Sequence, residues 1–114
     1  MASMLTRTHA PPGGPRVRLR LARRSDAGAV RELLEDRGVT ATELDLQRLL
    51  TYDPTRRTVI CAFAPLDGSE TLVGIGAIRH DDDEPETLVA ARGIGSLLAR
   101  VLRERAESHR RRVA

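Results

Sequence analysis

An α/β sandwich around a mainly antiparallel sheet, with helices on both faces, is the fold class this sequence predicts. Three observations predict it. Thr58 to Ala64 is continuous and mostly apolar, with Val59, Cys61 and Phe63 on one side and Ile60, Ala62 and Ala64 on the other. A strand of that kind lies between two layers of helix. Pro65-Leu66-Asp67-Gly68-Ser69 is turn chemistry leading to a second strand-like run, Thr71 to Arg79, so the two make an antiparallel hairpin. Ile94, Leu97, Leu98, Val101 and Leu102 recur at i, i+3, i+4, i+7 and i+8, one face of a helix.

Each element follows in chain order. Residues 1–15 carry Pro11, Pro12, Gly13, Gly14 and Pro15 with little apolar content and read as a flexible leader before a domain over 16–114. Val17-Arg18-Leu19-Arg20-Leu21 alternates apolar and cationic, a strand with one buried face. Ser25-Asp26 supplies an N-cap and a first-turn acid for a helix over Asp26–Arg37, with Ala27, Val30, Leu33 and Leu34 on one face and Gly38 as the stop. Thr40-Ala41-Thr42-Glu43 has capping-box spacing and opens a short helix over Glu43–Thr51, which Asp53-Pro54 breaks. After the hairpin come an acidic loop, His80 to Pro85, and a short strand, Glu86 to Ala90. The last helix fades into Arg110-Arg111-Arg112, where cations suit its dipole. The order is β-α-α-β-β-β-α.

Composition limits what such a domain does. The chain has 114 residues, room for one domain. No apolar run approaches the roughly 18 residues of a membrane span, which leaves no integral membrane segment and a cytoplasmic address as the default. The one cysteine, Cys61, excludes an internal disulfide and a multi-cysteine zinc site. It lies mid-strand with no histidine nearby in sequence and reads as a buried structural thiol. All 19 basic residues are arginines, set against 16 acids. The high isoelectric point, near 10.3, therefore reflects arginine usage rather than a surface for polyanions. Tyr52 and Phe63 are the only aromatic residues, too few to stack bases, so nucleic acid is not an expected partner. His9, His80 and His109 lack metal-ligand spacing, and no metal site is expected, although His80 beside Asp81 and Asp83 is the loosest of candidates for a divalent cation. Gly74-Ile75-Gly76 lies inside a strand and reaches Arg79 where a dinucleotide fingerprint needs its third glycine.

Chemistry concentrates at one junction, Leu88-Val89-Ala90-Ala91-Arg92-Gly93-Ile94-Gly95-Ser96, where a strand feeds a helix through two glycines. The first turn of a helix leaves N–H groups unpaired and carries partial positive charge. Glycines let an anion approach those groups, and Arg92 adds a charge-assisted contact, which makes a diphosphate cradle. Equally, Gly93 and Gly95 serve to pack the helix tightly against its strand. Both readings stand at this stage.

Taken in order over residues 16–109, the pieces resemble the GNAT superfamily of acyl-CoA-dependent N-acetyltransferases. Arg18 to Ala27 is similar to that family's first strand and helix entry, and Leu72-Val73-Gly74-Ile75-Gly76-Ala77 to its third strand. Arg92-Gly93-Ile94-Gly95-Ser96 is similar to the end of its acyl-CoA loop. The resemblance implies an N-acetyltransferase that moves an acetyl group from acetyl-CoA to an amine of a small molecule or protein. Its diphosphate would rest on the amides of Arg92, Gly93, Ile94, Gly95 and Ser96. Its pantetheine would pair with the backbone of Leu88, Val89 and Ala90. Glu86, just upstream, is the candidate general base. The sequence departs from the family at Ala90, where Gln or Arg is usual, in the short link from Gly74 to Gly93, and in ending after the third helix, without the later strands. That last departure motivates the alternative, a catalytically inactive module that interacts or homodimerises through an uncovered strand edge.

Overall fold

The computed structural model describes residues 8–89 and 91–113. Ala90, the expected end of the last strand, lies outside them, as do residues 1–7 and 114. The elements are β1 (Thr8–His9), β2 (Val17–Leu21), α1 (Ala27–Asp36), α2 (Glu43–Leu50), β3 (Arg57–Leu66), β4 (Ser69–Arg79), β5 (Glu86–Val89) and α3 (Ile94–Val113), with a single 3-10 turn at Arg24–Asp26 before α1. The strands form one sheet in the order β1-β2-β3-β4-β5, every neighbouring pair antiparallel. No helix among the described residues is long and apolar enough to cross a membrane.

Two cores lie back to back across the sheet. On one side Val30 and Leu33 of α1 and Leu46 and Leu50 of α2 pack on Val59, Cys61 and Phe63. On the other, Ile94, Leu97, Leu98, Val101 and Leu102 of α3 pack on Val17, Leu19, Ile60, Ala62 and Ala64. The double-sided run in β3 thus has the two helical layers its composition requires. β4 reaches the same result by a different device. Phe63 pairs with Leu72 and Ala62 with Gly74, so Val73 is an extra residue in β4. That bulge inverts the alternation. Leu72 and Ile75, three apart, therefore both join the α1/α2 core, while Val73 and Ile78 face α3.

The hairpin between β3 and β4 is tighter than the sequence reading has it. Both strands run further, and only Asp67 and Gly68 turn, each with positive φ (50° and 79°). Two such residues make the turn whose twist matches the strands it joins.

Both helix entries on the α1/α2 side differ from expectation. Ser25 does not cap α1. Asp26 instead turns its carboxylate back to accept from the Arg23 amide (2.7 Å) and from both ends of the Arg20 guanidinium (2.7 and 2.9 Å). The capping box of α2 sits two residues later than Thr40 and Glu43. Thr42 Oγ1 accepts from the Asp45 amide, and the Asp45 carboxylate accepts from the Thr42 amide, both at 3.1 Å. At the far end of α1, Gly38 does act as the stop, with φ 74° and the Val39 amide bonded back to Leu34.

Within the expected leader, Thr8–His9 pairs with Val17 and Arg18 as a short edge strand. Pro11 to Gly14 then passes over the residues that precede α3.

Candidate functional site

The junction singled out in the sequence is the exit of β5 into α3. β5 pairs with β4 along one edge only, Glu86 with Ala77 through Val89 with Gly74, and its other edge has no partner strand among the described residues. Arg92 and Gly93 make the turn. Gly93 has φ 84°, a conformation that glycine adopts without penalty. Ile94 then drops its side chain into the α3 core, fully buried, and fixes where the helix begins. Of the five amides expected to hold a diphosphate, that of Ile94 reaches the Ala91 carbonyl at 3.4 Å, a long bond. Arg92 and Ser96 are exposed, and Gly93 and Gly95 are half-buried. Ala90, the position expected to extend the pantetheine pairing, lies outside the described residues.

The leader borders this turn, and nothing in its composition announced that. A Cβ on Gly93 would stand 2.9 Å from the Pro12 carbonyl oxygen, and one on Gly14 would stand 2.2 Å from the Arg92 carbonyl oxygen. Two glycine-rich segments therefore meet backbone to backbone. Close packing is one role of Gly93, with the leader as its partner rather than the strand. Facing Ser96 and the exposed Arg92, the turn keeps a surface open to solvent.

Glu86 stands at the other end of β5, about 10 Å along the strand from Val89 at 3.4 Å per residue. It is exposed and borders a cavity of about 240 Å³ whose other walls include Val30, Leu34, Leu49 and Leu88. Leu88 thus lies in β5, Arg92 in the turn and Ser96 in the first turn of α3, while Glu86 is set apart from the glycine turn by the length of the strand.

No family model, curated protein or solved structure matches the chain. The site must accordingly be judged on its own residues.

The remaining candidates are occupied by structural work. His80 is not a loop side chain but a buried one. Its Nδ1 donates to the Thr55 carbonyl (3.1 Å), and in the neutral ring its Nε2 accepts from the Thr58 hydroxyl (2.7 Å). Its ring stacks on His109, with centroids 4.1 Å apart. Two histidines that look scattered in sequence are therefore neighbours, yet no group of three or more His, Cys, Asp or Glu able to hold a metal occurs among the described residues. Burial pushes the His80 pKa down, and the positive charge of Arg105 and Arg110 pushes in the same direction. Cys61 is buried in β3. Burial and the neighbouring Asp26 carboxylate push its thiol up to about 12, so it carries no thiolate near neutrality. Tyr52 donates its hydroxyl to the Ala22 carbonyl at 3.1 Å.

Asp26 and Arg20 form the best-made polar contact of the fold. Burial pushes the Asp26 carboxyl up, but the bonds from Arg20 and the Arg23 amide outweigh it, and the pKa ends below the usual carboxylate range. Arg20 also lies over the Phe63 ring at 4.5 Å. The pair anchors β2 to the start of α1 and leaves no spare acid for chemistry.

Proposed function

We propose that this chain is an acyl-CoA-binding domain that transfers an acetyl group from acetyl-CoA to the amine of a small molecule or protein, acting in the cytoplasm. One observation carries the reading. The unpaired edge of β5 runs straight into a glycine turn and the first amides of a 20-residue helix. An extended amide-bearing chain that ends in a diphosphate matches both halves of that surface. The pantetheine amides pair with the free backbone groups of β5, and the diphosphate takes the helix amides with Arg92 beside them. Ala90 contributes no side-chain ligand, so the cradle relies on backbone and Arg92 alone.

Extended along β5, the pantetheine arm leads from the glycine turn toward Glu86. There the carboxylate accepts a proton from the acceptor ammonium. The freed nitrogen attacks the thioester carbon, the new C–N bond forms as the C–S bond breaks, and the second proton the nitrogen sheds passes through solvent to the departing thiolate. The apolar walls beside Glu86 suit an amine carried on an apolar body.

Titration calorimetry with acetyl-CoA on the wild type and on Ser96→Glu tests the reading. Ser96 is exposed, and an acid in the first turn of a helix favours the fold. Saturable binding to the wild type, weakened about tenfold or more by the substitution, is the expected result. No heat at millimolar acetyl-CoA ends the proposal.

The same free edge favours a second reading, a module that homodimerises by pairing β5 across a two-fold axis. Light scattering distinguishes it. A monomer at high concentration removes edge pairing, whereas a dimer that acetyl-CoA does not disperse removes the open cofactor slot.

A further inference from the structure

A cavity of about 760 Å³ lies away from the glycine turn. It opens where β3 begins and β4 ends, between the C-terminal ends of α2 and α3. Arg110, on its rim, is 16 residues along α3 from Ile94, which is about 24 Å of helix. Arg48, Arg56, Arg57, Arg79 and Arg110 line it, against Asp53 and Asp81. The excess of three positive charges equals the formal net charge of the entire chain. Asp83, paired with Arg110, lowers that excess to two.

Structural duties account for only part of this set. Arg57 donates to the carbonyls of Arg48 and Leu49 and so caps α2, and its guanidinium lies over the Tyr52 ring. Arg110 donates to the carbonyls of His80 and Asp82 and pairs with Asp83, tying α3 to the loop before β5. Arg79 pairs with Asp81 at 3.1 Å in an exposed contact. The Arg48 guanidinium makes no ion pair among the described residues. Arg56 is 86% exposed and approaches Asp53 only at 3.9 Å, while Asp53 gives its carboxylate to the amide and hydroxyl of Thr55. Gathering five guanidinium groups in one cleft costs Coulomb energy that Asp53, Asp81 and Asp83 offset only in part. A multiply charged anion removes that cost and finds spare N–H donors on Arg48, Arg56 and Arg79. Tyr52 and His109 add ring faces to the walls, and the volume lies in the range of small-molecule sites.

We propose that this cleft binds a small molecule bearing a phosphate or diphosphate group, held by Arg48, Arg56 and Arg79 with its organic part against Tyr52 and His109. The site is separate from the acyl-CoA surface and stands without it. A nucleic-acid strand fits less well, because Asp53 and Asp81 interrupt the cations and, among the lining residues, only Tyr52, His80 and His109 carry rings on which bases could stack.

Calorimetric titration with inorganic pyrophosphate, and then with adenosine diphosphate, tests the proposal. Wild type is expected to bind both saturably, with affinity falling as salt rises. Arg48→Ala combined with Arg56→Ala alters two exposed side chains and is expected to weaken pyrophosphate about tenfold or more. Glu32→Gln, at an exposed position of α1 outside both surfaces, is expected to leave it unchanged. Absence of saturable binding at millimolar pyrophosphate overturns the proposal, as does equal affinity in the double variant. A loss in Ser96→Glu alone also overturns it, because the anion then sits at the glycine turn. So does tight binding of a DNA duplex in the absence of any pyrophosphate binding.

Discussion

His80 couples stability to pH through a single ring. Its two nitrogens are committed to Thr55 and Thr58, and both contacts are made with the imidazole neutral. Burial first, and then the nearby positive groups, depress its pKa in the fold below the ordinary value of 6.5. As pH falls below that value the unfolded chain takes up a proton that the folded one refuses, so stability is fully present above it. It is lost progressively as pH drops toward the depressed folded value. Urea midpoints are therefore expected to fall between about pH 7.5 and pH 5.5, and His80→Gln is expected to flatten that slope while lowering the plateau. A wild-type midpoint that stays level over this window contradicts the assignment. The sequence shows a histidine beside acids and suggests a solvated loop. What it does not show is Thr58 paired across from it, because the β3–β4 register that sets Thr58 against Ile78 exists only after folding.

At the scale of elements, periodicity makes most of the fold legible. The stripes in α1, α2 and α3 and the double-sided β3 each state which face is buried, since burial of apolar side chains is what selects those faces. Local polar signals are less decisive. Thr40 with Glu43 and Thr42 with Asp45 both offer a side-chain oxygen and an acid at capping-box spacing. The later pair is used, and it places Leu46 and Leu50 in the core. The leader was illegible for a related reason. Proline and glycine describe a chain without its own regular structure, and the partner that orders Pro11 to Gly14 is the turn before α3, some eighty residues away. That packing makes two glycine substitutions move in opposite directions. Gly14→Ala drives a Cβ into the Arg92 carbonyl, and overpacking of this kind costs about 1–3 kcal/mol. Gly28→Ala, within α1 and with nothing near its added carbon, gains about 0.5–1 kcal/mol from lower chain entropy. Denaturant midpoints measure both, and equal effects of like sign would refute the contact between leader and turn.

Over the whole molecule, the sheet separates two surfaces with different chemistry. The end where β5 runs into α3 presents backbone: an unpaired strand edge, a glycine turn and helix amides. The end where β3 starts and β4 stops presents guanidinium groups drawn from four separate stretches of chain, at 48, 56–57, 79 and 110. The first surface is readable in sequence because its residues are consecutive. The second is not, since no local run of arginines marks it and the fold alone assembles it. Acetyl-CoA distinguishes the two ends, because its diphosphate and amide-bearing arm demand the first while its charge alone is served by the second. Amide NMR spectra recorded during an acetyl-CoA titration read this residue by residue. Saturable shifts centred on Leu88, Val89 and Arg92 to Ser96 are predicted. Shifts confined to the arginine cleft, or none at millimolar ligand, would contradict the account.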